Sequence, residues 1–224
     1  LREAEIPWLA NEIDRLDSLP IITDLKSLTS AICNQADRLS WLAILRAPWC
    51  GISLEDLHLV ASWKPNSSVF ESLSQLCLDP QAPKLSADGR TRIHSITAVL
   101  SNALSAKQHG RISRVIRSAF IALGADLLVR SDAELDSVER YFEILQSCEV
   151  AGGLENFADF EARIANSFVS SAADTQANPV QIMTIHKSKG LEFDHVFLPG
   201  LARTSRADDK ALLLWHQRLN EYGQ

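Results

Sequence analysis

A mainly α-helical fold, with a small α/β strip near the C-terminal end, is predicted by three features of this 224-residue sequence. Apolar residues recur at three- and four-residue steps through most of positions 23–170, the spacing of helices with one buried face. Two segments, Ser53-Leu-Glu-Asp56 and Ser131-Asp-Ala-Glu134, place a hydroxyl and a carboxylate as capped helix starts do. Two apolar, β-prone runs flank one polar loop, at 180–185 and 195–198.

Positions 1–22 read as irregular or short extended chain, with Pro7 and Pro20 as breakers. A helix is expected over 24–33, with Leu25, Leu28 and Ile32 on one face. The next, over 36–46, has Leu39, Leu42, Ile44 and Leu45 as a wide apolar stripe, and Pro48 ends it. Ser53 starts a helix through Ala61, 63–68 is a loop, and a short helix covers 69–78 before Pro80 and Pro83. A long helix spans 86–108, with Ile93, Ile96, Val99, Leu100 and Leu104 at helical steps, and Gly110 stops it. Another covers 112–123, with Gly124 as its C-terminal cap. The helix after Ser131 runs to Cys148 with Leu135, Val138, Phe142 and Leu145 inward. Residues 151–154 form a hinge-like turn, and a last helix starts at Glu155 or Asn156 and reaches about Phe168. The small polar stretch 171–179 is a linker. Residues 207–216 form a strand or a short helix.

Apolar residues make up 46% of the chain, enough for a real core. No apolar run approaches the roughly 20 residues of a membrane span, and the start is no signal peptide. Without an initiator Met, that start reads as an excised fragment. Cys33, Cys50, Cys77 and Cys148 are scattered and none pairs at metal-binding spacing, so reduced thiols in a cytoplasmic protein are expected and no metal site. The net charge of −6 is uneven. Residues 180–224 hold six Lys/Arg and five Asp/Glu, +1, whereas residues 1–179 hold 16 and 23, −7. An acidic body counts against autonomous DNA binding and favours a scaffold or a protein-contacting role.

The loop between the apolar runs carries the chemistry. Met183-Thr-Ile-His-Lys-Ser-Lys-Gly-Leu-Glu-Phe193 places a hydroxyl, an imidazole, two lysines, a glycine and a carboxylate where α/β folds present groups to a ligand. This segment, followed by Val196-Phe-Leu198, resembles motif V of superfamily 1A DNA helicases, the UvrD/Rep/PcrA and RecB/AddA group. The resemblance implies that Thr184 and His186, with Lys187 beside them, face single-stranded DNA, and that Gly190 and Glu192 face ATP. Met183, Ile185, Leu191 and Phe193 are expected in the core.

A second stretch, Asp37 to Ile52, with Arg46-Ala-Pro-Trp-Cys-Gly-Ile52 at its end, resembles the family's motif IVa and is closest to the RecB/AddA branch. Arg46 has two readings, a phosphate contact or a helix-end arginine satisfying the last carbonyls. Trp41 and Trp49 read as core or interface aromatics. Ala4-Glu-Ile-Pro-Trp8 resembles the family's connection after the first strand of the second motor domain, and 208–215 resembles a RecB/AddA stretch after motif V. On that basis 1–22 is the connection from the second RecA-like domain, 23–170 is an inserted helical 2B-type domain, 171–179 is the linker, and 180–224 returns to the motor domain. Arg90, Arg92, Arg111, Arg114 and Arg117 read either as a solvated helix face or as duplex-phosphate contacts.

No Gly-x-x-x-x-Gly-Lys-Ser/Thr occurs, so the chain lacks the phosphate cradle and the Mg²⁺-binding hydroxyl, and no catalytic residue is assigned to it. The resemblance implies a parent enzyme, an ATP- and Mg²⁺-dependent 3′→5′ DNA helicase of repair or recombination. Single-stranded and duplex DNA, and a nuclease or repair protein, would be its partners, and no membrane is involved. The alternative is a non-catalytic helical module that binds a protein partner.

Overall fold

A computed structural model describes residues 6, 8–10, 15–76, 79–169 and 180–200, with positions 8–10 described by their backbone alone. The linker expected over 171–179, the element expected over 207–216 and most of the 4–8 motif lie outside the described residues. Eight α-helices and four short strands form among those described, so the fold is mainly α, as its apolar spacing predicts.

Helix α1 (Pro20–Cys33) is the hub, packing against α2 (Arg38–Arg46), α5 (Ala87–Lys107), α6 (Ile112–Ala122) and α7 (Asp132–Ser147). Its buried residues Ile22, Leu25, Leu28, Thr29, Ala31 and Ile32 span a wide arc, as a helix flanked on several sides requires. Pro20 begins this helix instead of breaking the chain before it, because a first-turn residue has no intrahelical partner for the N–H that proline lacks. At the other end the Lys107 ammonium donates to the carbonyls of Ile32 and Cys33, each at 2.8 Å, closing the last turn.

The remaining helices start where short polar side chains cap them. Asp37 caps α2, Ser53 caps α3 (Leu54–Ser62), Ser86 caps α5, Ser131 caps α7 and Asn156 caps α8 (Phe157–Ala165). Helix α4 (Val69–Leu76) lies against α2, α3 and α5. Gly124, at φ +69°, turns the chain out of α6 into a 3-10 turn over Ala125–Leu128. Two side chains expected inward point out. Leu39 and Leu135 are exposed, and Trp41 and Tyr141 fill the core from the neighbouring faces of their helices. The turn at 151–154 is a tight hairpin joining β2 (Glu149–Val150) to β3 (Gly153–Leu154), with Ala151 and Gly152 at positive φ. Helix α8 ends at Ala165, short of Phe168.

Aromatic rings form a chain through the core. Trp49, Phe120, Phe142, Tyr141, Phe160 and Phe157 meet successively edge-on, with centroids 5.5–6.2 Å apart. Such contacts add specificity to area burial and join the 46–52 loop to α6, α7 and α8. The Tyr141 hydroxyl lies 2.6 Å from the Thr29 hydroxyl, and both reach the Leu25 carbonyl, at 3.1 and 2.9 Å. Burial pushes the Tyr141 phenol well up, so it stays a neutral hydrogen-bonding group.

Strand β4 (Val180–Ile182) lies parallel to β1 (Trp8–Ala10), with Trp8 opposite Val180 and Ala10 opposite Ile182. Chain segments some 170 residues apart in sequence thus share one sheet. The second expected strand, over 195–198, does not form. A strand needs a hydrogen-bonded neighbour, and none pairs with this run among the described residues.

Candidate nucleic-acid and nucleotide interface

Strand β4 delivers the chain into two successive turns. In the first, the Lys187 N–H donates to the Thr184 carbonyl at 3.0 Å. In the second, the Leu191 N–H donates to the Ser188 carbonyl at 3.0 Å. Gly190, at φ +85°, holds the third place of that turn, where a type II turn needs a left-handed residue. Among the described residues, a Cβ built on Gly190 meets nothing within 4 Å, so its backbone is open to a ligand there.

Thr184, His186, Lys187, Lys189 and Glu192 are exposed. Up to Lys187 the loop offers an exposed hydroxyl, an imidazole and an ammonium group after the C-terminal end of a strand in a parallel pair, groups that can hydrogen-bond phosphate or sugar and stack beneath a base. Beyond it, Lys189 offers an ammonium group and Glu192 a carboxylate that can accept from a ribose hydroxyl. The chain divides into two compact units within this loop, 1–187 and 188–224. Thr184, His186 and Lys187 belong to the first unit, Gly190 and Glu192 to the second.

The apolar residues of the motif depart from expectation. Met183 is half-buried, but Ile185 is 71% exposed and Leu191 54%, and Phe193 is exposed as well. Burial needs a covering layer, and no helix or strand forms among the described residues of 188–200 to supply one.

The second motif folds back on the end of α2. The N–H groups of Cys50 and Gly51 both donate to Ala47, at 2.9 and 2.8 Å, and Ile52 donates to the Leu45 carbonyl at 3.2 Å. Arg46 is exposed and one guanidinium nitrogen reaches the Ile52 carbonyl at 3.3 Å. Gly51, at φ +60°, lets Arg92 approach, and Arg92 donates to the Cys50 carbonyl at 2.9 Å. Trp41 is fully buried against Phe70 and Trp49 is half-buried against Phe120. Burial pushes the Cys50 thiol up to about 11, so it is no nucleophile at neutral pH.

The arginines of α5 and α6 separate into two kinds. Arg92 pairs with Asp88 at 2.6 Å, and Arg117 holds Glu139 through two bonds of 2.6 and 2.8 Å. Arg90, Arg111 and Arg114 are exposed. A part-buried junction that the motifs did not announce joins α3 to α5. Asp56 of α3 accepts the backbone N–H and the hydroxyl of Ser86 at 2.9 and 2.6 Å, binding the starts of α3 and α5 together. Its only sequence signal was its place in the capping segment after Ser53. No helix among the described residues is long and apolar enough to cross a membrane.

The family model of the UvrD-like helicase C-terminal domain matches residues 91–205, just over half of the chain. An ATP-dependent helicase/nuclease component from Ruminiclostridium cellulolyticum is 28% identical over 98% of this chain and 18% of its own length. The ATP-dependent DNA helicases PcrA of Staphylococcus epidermidis and Staphylococcus aureus are 25% and 24% identical, each over 80% of this chain and 25% of their own length. The chain thus spans about a fifth to a quarter of these curated relatives.

Proposed function

This chain belongs to the UvrD-like helicase C-terminal domain family, and from that premise we propose that it is part of an ATP-dependent DNA helicase in which the 184–192 loop couples nucleotide state to DNA grip. The observation that carries the reading is the pair of exposed turns after β4, with Gly190 at positive φ and open space around it. Thr184, His186 and Lys187 hold single-stranded DNA. The hydroxyl and the imidazole supply directional hydrogen bonds or stacking, and Lys187 supplies charge beside phosphate. Gly190 and Glu192 face ATP, the glycine by letting backbone N–H groups come close and the carboxylate by accepting from the ribose or positioning a cation.

Residues 1–22 and 180–224 belong to the second RecA-like motor domain in this reading, and the pairing of β1 with β4 supports that division. Residues 23–170 are the inserted 2B-type domain, which contacts duplex DNA or partner proteins, with Arg46 on a duplex phosphate. The β- and γ-phosphates of ATP and their Mg²⁺ are held elsewhere in the parent protein, because this sequence contains no glycine-rich phosphate cradle. The setting we propose is DNA repair or recombination in the cytoplasm.

The test is DNA-stimulated ATP hydrolysis by the full-length parent, with binding to single-stranded DNA measured in parallel. Glu192→Gln should cut turnover with DNA binding intact, and His186→Ala should loosen DNA or uncouple its stimulation. Wild-type behaviour of both variants would make the loop structural.

A further inference from the structure

The tip of the α6–α7 hairpin exposes a group of large apolar side chains that the helicase reading does not use. Helices α6 and α7 run antiparallel, because Ser113 bonds Glu149 at 3.0 Å near one end and Arg117 grips Glu139 further along. One helical turn beyond that ion pair, Ile121 on α6 and Leu135 on α7 occupy matching positions on the same outer face. They are 56% and 48% exposed. Leu127 and Leu128 lie in the 3-10 turn between the two helices, at that same end, and are 84% and 36% exposed. Hydrogen bonds from Gly124 to Ile121 and from Leu127 to Gly124 tie the turn to the end of α6, so the four exposed side chains sit at one end of the hairpin.

The rim of the patch is acidic. Residues 121–139 contain five carboxylates against one arginine. Glu139 is held by Arg117, and Glu134 accepts the Arg130 N–H at 2.7 Å. Asp126, Asp132 and Asp136 remain exposed around the leucines. That rim repels a phosphate backbone, which separates this surface from any nucleic-acid contact.

We propose that this hairpin tip docks a partner protein through a segment whose apolar side chains are flanked by Lys or Arg. Apolar contact supplies the affinity, and the carboxylate rim selects the basic partner and speeds encounter. The proposal does not rest on the helicase reading and would stand if the 184–192 loop proved structural.

The test uses the full-length parent and two synthetic amphipathic peptides with leucines at i, i+3, i+4 and i+7, one flanked by lysines and the other by glutamates. The lysine peptide should bind, more weakly as salt rises, and the glutamate peptide should not. Leu127→Ser combined with Leu135→Ser should weaken lysine-peptide binding roughly tenfold or more, with an unchanged urea-unfolding midpoint as the check on folding. Equal binding of both peptides, or undiminished binding by the double variant, overturns the proposal. So does self-association that disappears in the double variant, which would make a second copy the occupant. A Leu127→Cys parent that resists maleimide until denatured also overturns it, because the patch would then be covered by its own polypeptide.

Discussion

Asp56 receives both the backbone N–H and the hydroxyl of Ser86, 30 residues away, and is itself almost fully buried. The same Ser86 hydroxyl accepts the Gly89 N–H at 2.9 Å and so caps α5. One carboxylate therefore fixes the cap of a neighbouring helix. Its removal takes away two charge-assisted hydrogen bonds from part-buried donors, so Asp56→Ala should lower stability by about 2 kcal/mol. Gly89→Ala should also destabilise, although alanine favours helix, because the new Cβ would lie 2.1 Å from the Asp56 carboxylate. Urea unfolding of both variants checks this, and a wild-type midpoint for Gly89→Ala would show that the junction yields easily.

The same junction sets a pH dependence. The Ser86 hydroxyl and N–H hold the Asp56 carboxyl below the usual carboxylate range. A group with a depressed folded pKa contributes stability that is complete above its unfolded pKa, about 3.9, and is lost as pH falls through the folded value. The difference in unfolding free energy between wild type and Asp56→Asn should therefore shrink on acidification below about pH 4 and hold steady between pH 6 and 8. A gap that instead widened below pH 4 would assign the Asp56 shift the wrong sign.

Thr29 and Tyr141 are joined across 112 residues within the core. Tyr141→Phe keeps the ring contacts and removes one hydroxyl, so a loss of about 1 kcal/mol is expected. Thr29→Val should cost a similar amount. The double variant should cost less than the sum, because removing both partners leaves neither unsatisfied. A double-mutant cycle by chemical denaturation measures this, and strict additivity would count against a direct bond.

What could be read from the sequence follows the range of each interaction. The starts of α3, α5 and α7 were legible because Ser53, Ser86 and Ser131 accept from an N–H three residues on. Leu39 and Leu135 were misplaced because a three–four period marks a stripe without saying which edge meets solvent. Tyr141 took the core through its contact with Phe160, which no local pattern encodes, whereas Trp41, read as a core or interface aromatic, is buried against Phe70. The Asp56–Ser86 junction and the β1–β4 pairing are long-range in the same sense. At the candidate site, the order of side chains and the need for Gly190 were legible. The exposure of Ile185 and Leu191 was not, because burial depends on neighbouring layers and not on hydrophobicity alone.

Gly190 separates backbone demand from crowding. Its surroundings are open among the described residues, so a methyl group fits among them, and the obstacle is its positive φ. Gly190→Ala should cost about 1 kcal/mol of local strain with global stability little changed. On the helicase reading it should also raise the KM for ATP, because the turn no longer presents its backbone to the nucleotide. Gly190→Asn, which tolerates the left-handed region better, should recover part of the loss. Identical kinetics for all three proteins would detach this turn from nucleotide binding.

Arg46 can be assigned by salt rather than by affinity alone. Its bond to the Ile52 carbonyl is long at 3.3 Å and its guanidinium is exposed, so Arg46→Ala should cost at most about 1 kcal/mol of stability. If it also neutralises a duplex phosphate, the full-length parent should lose duplex affinity uniformly across sequences. The slope of log K against log salt should then fall by about 0.9, the counterion release of one contact. Arg46→Lys should restore the slope, because a point charge suffices at phosphate, but not the carbonyl bond that needs the longer fork. A slope unchanged in Arg46→Ala would leave this residue as the clasp that folds the 46–52 loop onto the end of α2, with no contact to DNA.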